Sequence, residues 1–170
     1  MSYKLAASSW GQEELDAIQR VIKSERFSMG TEVAAFEEEF AEWHNLKYGV
    51  MVNSGSSANL ISIASYFYKN KNPLKPGDEV IVPAISWSTT YYPLQQYGLK
   101  LRFVDVEIDS FNIDFTKLED ALTPQTKIIV AVSILGNPAA LDQIKSFADK
   151  HGLYLMEDNC ESLGAELPNK

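Results

Sequence analysis

The sequence predicts an α/β protein with three layers, a mostly parallel sheet covered by helices on both faces. Short apolar runs alternate with segments of helical periodicity along most of the chain. The runs are nearly all apolar, as strands buried on both faces require. Each intervening segment is long enough for the crossover that joins parallel neighbours.

In Gly11 to Ser24, Leu15, Ile18, Val21 and Ile22 fall at helical spacing, and Thr31 to Trp43 repeats the pattern with Val33, Phe36, Phe40 and Trp43. Both read as amphipathic helices. Tyr48 to Val52 reads as a first strand, followed at once by the polar turn Asn53-Ser54-Gly55-Ser56-Ser57 and a helix over Ala58 to Tyr68. Pro76-Gly77-Asp78 turns the chain into a strand at Glu79 to Val82, and a helix is expected from Ser88 to Tyr97. A strand over Lys100 to Val104 and a helix over Phe115 to Leu122 come next. Lys127 to Val132 forms a fourth strand, Pro138 to Lys150 a helix, and Leu153 to Met156 a fifth strand. Residues 1–46 thus form a helical N-terminal segment and 47–170 the α/β core. Nothing in Leu167-Pro168-Asn169-Lys170 resembles a closing helix, so the chain reads as part of a larger unit.

Composition narrows the function. The 170 residues carry 15 Lys and Arg against 23 Asp and Glu, a net charge of −8, which disfavours nucleic-acid binding. No apolar run approaches the roughly 18 residues of a membrane span. The single cysteine, Cys160, cannot form an internal disulfide, and no leader is evident, so a cytoplasmic location is expected.

Ligands of open α/β sheets bind beyond the carboxyl ends of the strands, where this chain places Asn53 to Ser57, Ala84 to Ser88, Asp105, Ser133 and Glu157 to Ser162. Ser54-Gly55-Ser56-Ser57 sits between a strand and a helix, where free N–H groups and the helix dipole favour an anion such as phosphate. Taken alone, the turn is better explained by a serine N-cap, because capping serines are common and the full P-loop or dinucleotide pattern is missing. Trp87 places a flat ring at the same edge, although a lone tryptophan is more often core. Asp158 could pair with a protonated ring nitrogen or a metal, or cap a helix in a box with Glu161. A metal is disfavoured because His44 and His151 lie away from this cluster in sequence and Cys160 has no partner thiol. His151 precedes the fifth strand and Asp158 comes after it, so the two are expected at opposite edges, and His44 reads as a surface residue. No nucleophile elbow supports hydrolase chemistry.

An anion turn, an aromatic plate and a carboxylate on successive strands are the three partners that a pyridoxal phosphate site needs. At these residues the chain resembles the DegT/StrS family of PLP-dependent nucleotide-sugar aminotransferases and dehydratases, with the aspartate aminotransferase (type I) fold. The resemblance runs through Phe27-Ser28-Met29-Gly30, Ser54 to Leu60, Gly77 to Ala84, Phe103-Val104-Asp105-Val106, Asn112-Ile113-Asp114 and Glu157-Asp158. It implies that Gly55, Ser56 and Ser57 hold the cofactor phosphate, that Trp87 stacks on the ring, and that Asp158 binds the pyridinium nitrogen. Where the family's aminotransferases carry Gln or His, this chain has Glu161. Together with Ile85 to Gly98, that substitution is similar to the 3-dehydratase branch. Glu161 would then touch the cofactor's phenolic oxygen or assist proton transfer.

The resemblance further implies PLP- or PMP-dependent C3 dehydration of a nucleotide-linked 4-keto-6-deoxy sugar in deoxysugar and lipopolysaccharide biosynthesis. Glutamate would supply the amine, and the enzyme would be a homodimer. The alternatives are a nucleotide-sugar aminotransferase and an inactive cofactor-binding or dimerising fragment. The chain would be the N-terminal part of the PLP-binding large domain, without the small C-terminal domain. The Schiff-base lysine, or the catalytic histidine that replaces it in 3-dehydratases, is expected beyond Lys170.

Overall fold

The computed structural model describes residues 7–166. The expectation of no closing helix at 167–170 therefore lies outside the described residues. Two compact units divide between Met51 and Val52.

The first unit holds α1 (Gln12–Ser24) and α2 (Thr31–Trp43), close to the expected bounds. Glu14 reaches back to accept the N–H of Gly11 at 2.6 Å, stabilising the otherwise unpaired start of α1. The Arg20 to Glu32 ion pair joins the two helices at 3.5 Å. His44 is half-buried rather than a plain surface residue, its ring against Phe40 and Trp43.

The strand expected over Tyr48 to Val52 is absent among the described residues. A run becomes a strand only where a neighbour accepts its backbone hydrogen bonds. Here the N–H of Met51 donates instead to Glu37 Oε1 at 2.7 Å, and Tyr48, Val50 and Met51 stay exposed. The described sheet has four strands rather than five.

The second unit is the α/β core. It runs α3 (Gly55–Phe67), β1 (Glu79–Pro83), α4 (Ser88–Gln96) and β2 (Lys100–Val104). A 3-10 turn at Phe115–Lys117 leads into α5 (Leu118–Ala121), where a single helix was expected. Then come β3 (Thr126–Val132), α6 (Leu141–His151) and β4 (Tyr154–Asp158). The last helix starts at Leu141 rather than Pro138, and β4 runs two residues past Met156, carrying Asp158 into the sheet.

The four strands are all parallel, in the order β2-β1-β3-β4. Alternating side chains feed two cores, as the pleat dictates. Val80, Val82, Ile128, Val130 and Met156 pack with Ile63 of α3 and Leu94 of α4. Ile81, Ile129 and Ala131 pack on the opposite face with Leu118 of α5 and Ile144 and Phe147 of α6. The three layers are therefore as expected. From β1 the chain goes to β2 on one side, then returns to β3 on the other, which opens a crevice beyond the carboxyl ends of β1 and β3.

Candidate active site

Ser54 is the N-cap of α3: its Oγ accepts the N–H of Ser57 at 3.2 Å. Capping and anion binding are compatible here, because an N-cap satisfies only one of the four free donors of a first turn. The Gly55 and Ser56 N–H groups have no acceptor within their own helix. A Cβ added at Gly55 would meet nothing within 4 Å, so space lies open beside that turn. A depression of about 200 Å³ runs along the first turns of α3 and α4, with Ser56, Ser57 and Thr89 among its lining residues. Trp87 and Asp158 do not line it.

Trp87 immediately precedes α4 and is 74% exposed, with no ring of the described residues stacked on it. It is therefore not core. Its indole is free to cover a planar ligand.

Asp158 ends β4 and is 7% exposed. No helix comes after it among the described residues, which removes the capping-box reading with Glu161. Two buried donors hold the carboxylate instead. Asn59 Nδ2 of α3 and Thr90 Oγ1 of α4 each donate to Oδ2 at 2.9 Å. Together they fill the two lone pairs of that oxygen, and with the Cys160 thiol also hydrogen-bonded to the carboxylate, one lone pair is left at Oδ1 for a further donor. The same two bonds tie the end of β4 to the helices that begin with the serine turn and with Trp87. Thus the three features proposed to share one ligand are gathered at one end of the sheet.

Sequence reasoning gave no role to Asn59 or Thr90. One local signal was available in Pro93, which sits inside α4. Proline has no N–H to return to the carbonyl four residues earlier, so Thr89 loses its helical donor. Asn59 Nδ2 approaches that carbonyl at 3.4 Å. With an acceptor at Thr89 and another at Asp158, the amide must point its NH2 group inward.

Glu161 accepts the N–H of Leu135 through Oε2 at 2.7 Å. Leu135 has φ 55°, a left-handed conformation that costs a branched side chain energy, so the carboxylate seats the turn after β3. Asn112 holds the same turn, donating to the Asn137 carbonyl at 2.9 Å and accepting the Ile134 N–H at 3.0 Å. Ser133 is buried and donates to Glu157 at 3.4 Å. Asp105 is drawn away to the far edge, where it meets the Val106 N–H and Lys117. His151 lies at the C-terminal end of α6, 3.5 Å from Glu119, consistent with its expected separation from Asp158. Burial pushes the Cys160 thiol up to about 11, helped by the charge of Asp158, the hydrogen bond the thiol gives that carboxylate, and the charge of Glu161, so it is no nucleophile near neutral pH.

The residues present fit a phosphorylated planar heterocycle: open anion space at Gly55, an uncovered indole, and a buried carboxylate with acceptor capacity left at Oδ1. No helix among the described residues is long and apolar enough to cross a membrane.

Comparison with known proteins agrees. The sequence pattern of the DegT/DnrJ/EryC1/StrS aminotransferase family matches residues 8–170. The chain is 52% identical over 170 residues to GDP-4-keto-6-deoxy-D-mannose 3-dehydratase of Yersinia pseudotuberculosis, covering 100% of this chain and 43% of that protein. It is 33% identical over 161 residues to UDP-2-acetamido-2-deoxy-3-oxo-D-glucuronate aminotransferase of Pseudomonas aeruginosa, covering 94% of this chain and 43% of that one. Among solved structures, Escherichia coli GDP-4-keto-6-deoxy-D-mannose-3-dehydratase with bound hydrated PLP superposes with a TM-score of 0.94 at 51% identity, covering 99% of this chain and 43% of that one. NtdA of Bacillus subtilis with bound PMP superposes with a TM-score of 0.82 at 30% identity, covering 90% and 34%. The chain therefore spans less than half the length of these relatives.

Proposed function

This chain belongs to the DegT/DnrJ/EryC1/StrS aminotransferase family, and from that premise we propose that it is the N-terminal part of the large domain of a PLP- or PMP-dependent sugar 3-dehydratase. The whole enzyme removes the C3 hydroxyl of a nucleotide-linked 4-keto-6-deoxy sugar, with glutamate as amine donor, in deoxysugar and lipopolysaccharide biosynthesis. Residues 1–46 are its helical N-terminal segment and 47–170 its α/β core. It acts in the cytoplasm as a homodimer.

The observation that carries this reading is the buried Asp158 carboxylate, saturated at Oδ2 by Asn59 and Thr90, beside a serine turn and an uncovered indole. Identity of 52% along the whole chain to a 3-dehydratase favours dehydration over amine transfer.

When bound, the cofactor supplies an electron sink that stabilises negative charge developing on the attached sugar. The chain's own residues do the rest. Gly55 and Ser56 offer backbone N–H groups to its phosphate, with the Ser56 and Ser57 hydroxyls beside them. Trp87 covers one ring face and excludes water from it. Asp158 Oδ1 accepts the ring N–H and keeps that nitrogen protonated, which makes the sink effective. Glu161, engaged at Oε2 by Leu135, has Oε1 to hydrogen-bond the phenolic oxygen or to carry a proton.

A second reading, a nucleotide-sugar aminotransferase, is supported by relatives such as the Pseudomonas aeruginosa enzyme. Product analysis of the full-length enzyme separates the two: a 3-deoxy sugar with free ammonia means dehydration, an aminosugar means transfer. Equal dehydration by a Glu161→Gln enzyme would remove the role given to Glu161. For the 170-residue chain itself, PMP titration tests the site directly, and failure to bind would leave a folded fragment without a cofactor function.

A further inference from the structure

We infer that Asn59 and Thr90 are positioning residues for Asp158, which by filling Oδ2 reserve Oδ1 for the protonated ring nitrogen of the cofactor. The inference rests on the cofactor reading above and extends it to residues that touch neither the phosphate nor the ring.

Donor and acceptor counting makes the arrangement directional. The Thr90 hydroxyl has one proton, and it goes to Asp158 Oδ2 at 2.9 Å. Ser86 Oγ lies 2.9 Å from Thr90 Oγ1 and must therefore be the donor of that pair. The result is a relay of hydroxyls, Ser86 to Thr90 to Asp158, with every donor pointing toward the carboxylate. Asn59 adds a second donor, its orientation fixed by the Thr89 carbonyl that Pro93 cannot satisfy. Burial of Asn59, Thr90 and Asp158, at 8, 3 and 7% exposure, keeps water from replacing these bonds.

The carboxylate could in principle rotate and offer either oxygen. Rotation here would break two bonds to buried donors at once, so a ligand meets a single oxygen in a fixed place. The same bonds join α3, α4 and β4, whose ends carry the anion turn, the indole and the carboxylate. Positioning of Asp158 and spacing of the three ligand contacts are thus one feature.

The test titrates the chain with PMP, which has no aldehyde to react with surface lysines, and with its deaza analogue, in which C–H replaces the ring nitrogen. The wild-type chain should prefer PMP by about tenfold or more, the worth of a charge-assisted hydrogen bond. Thr90→Val keeps the side-chain shape and removes the donor, and Asn59→Leu removes the amide. Either change should shrink the preference to about threefold or less, and Thr90→Ser should restore it. A merely structural role would weaken both ligands in parallel and leave their ratio unchanged, which would overturn the inference. So would a wild-type chain that binds both ligands equally well. A wild-type chain that binds neither defeats the cofactor reading instead. Circular dichroism shows whether each variant is folded, and Thr90→Val with its Ser counterpart decides the matter if Asn59→Leu is not.

Discussion

Two substitutions at Asp158 separate its part in folding from its part in binding. Asp158→Ala removes both acceptors and strands Asn59 Nδ2 and Thr90 Oγ1, which sit on residues 8 and 3% exposed. A buried donor left unmatched costs about 1–3 kcal/mol, so the pair costs about 2–6 kcal/mol. Asp158→Asn instead retains one oxygen with two lone pairs, enough for both donors, and loses only the charge assistance. Its stability should fall by about 1 kcal/mol. Binding behaves in the opposite way. The new amide puts an N–H where Oδ1 was, so a cationic ring N–H meets a donor rather than an anion. Loss of that charge-assisted bond, about 1.5–3 kcal/mol, weakens PMP binding by roughly 10- to 150-fold. Urea denaturation monitored by circular dichroism gives the stabilities, and fluorescence titration with PMP gives the affinities. An alanine variant as stable as wild type would refute the hydrogen-bond accounting, and an asparagine variant with wild-type PMP affinity would refute the role of Oδ1.

Neighbouring features lead to further outcomes. Gly55→Ala should leave the melting temperature unchanged or higher, since its Cβ meets open space, while weakening PMP binding by filling the anion cradle; Gly49→Ala should destabilise the first unit, because its Cβ would lie 2.6 Å from the Glu37 carbonyl oxygen. Asn112→Ala strips partners from the Ile134 N–H and the Asn137 carbonyl and should cost about 1–3 kcal/mol in urea melts, with hydrogen exchange accelerated first in the turn after β3. Cys160 has its folded pKa raised from 9.0 to about 11, so its contribution to stability is full below about pH 9 and is lost as pH climbs through 11. Asp158→Asn removes one source of that shift, so Cys160 should alkylate faster with iodoacetamide in mildly alkaline buffer; an unchanged rate would show that the Asp158 charge does not act on the thiol.

Periodicity is a good guide wherever an element makes its own pattern. Thr31–Trp43 and Lys100–Val104 match their expected bounds because helical spacing and a compact apolar run are local properties. Tyr48 to Val52 has an equally apolar run and no strand, since pairing depends on a neighbour that local sequence does not describe. The helix expected at Pro138 begins at Leu141, past a segment held by the buried Ser133 hydroxyl, which accepts the Ala139 N–H at 3.2 Å. Gly55, Ser56, Ser57, Trp87 and Asp158 can be picked as candidates from sequence because each lies close beyond the carboxyl end of an expected strand, where open α/β sheets bind their ligands. Asn59 and Thr90 escape that criterion because they lie inside their helices, and their partner Asp158 is 99 residues away from Asn59 and 68 from Thr90 in the chain.

Pro93 gives α4 a defect. Replacing it with alanine would mend the helix and give the Thr89 carbonyl a backbone donor again. The repaired helix would then compete with Asn59 for that carbonyl and loosen the amide that braces Asp158. A change at residue 93 would therefore be felt at the carboxylate at the end of β4, because the missing N–H of one proline sets which way the Asn59 amide faces.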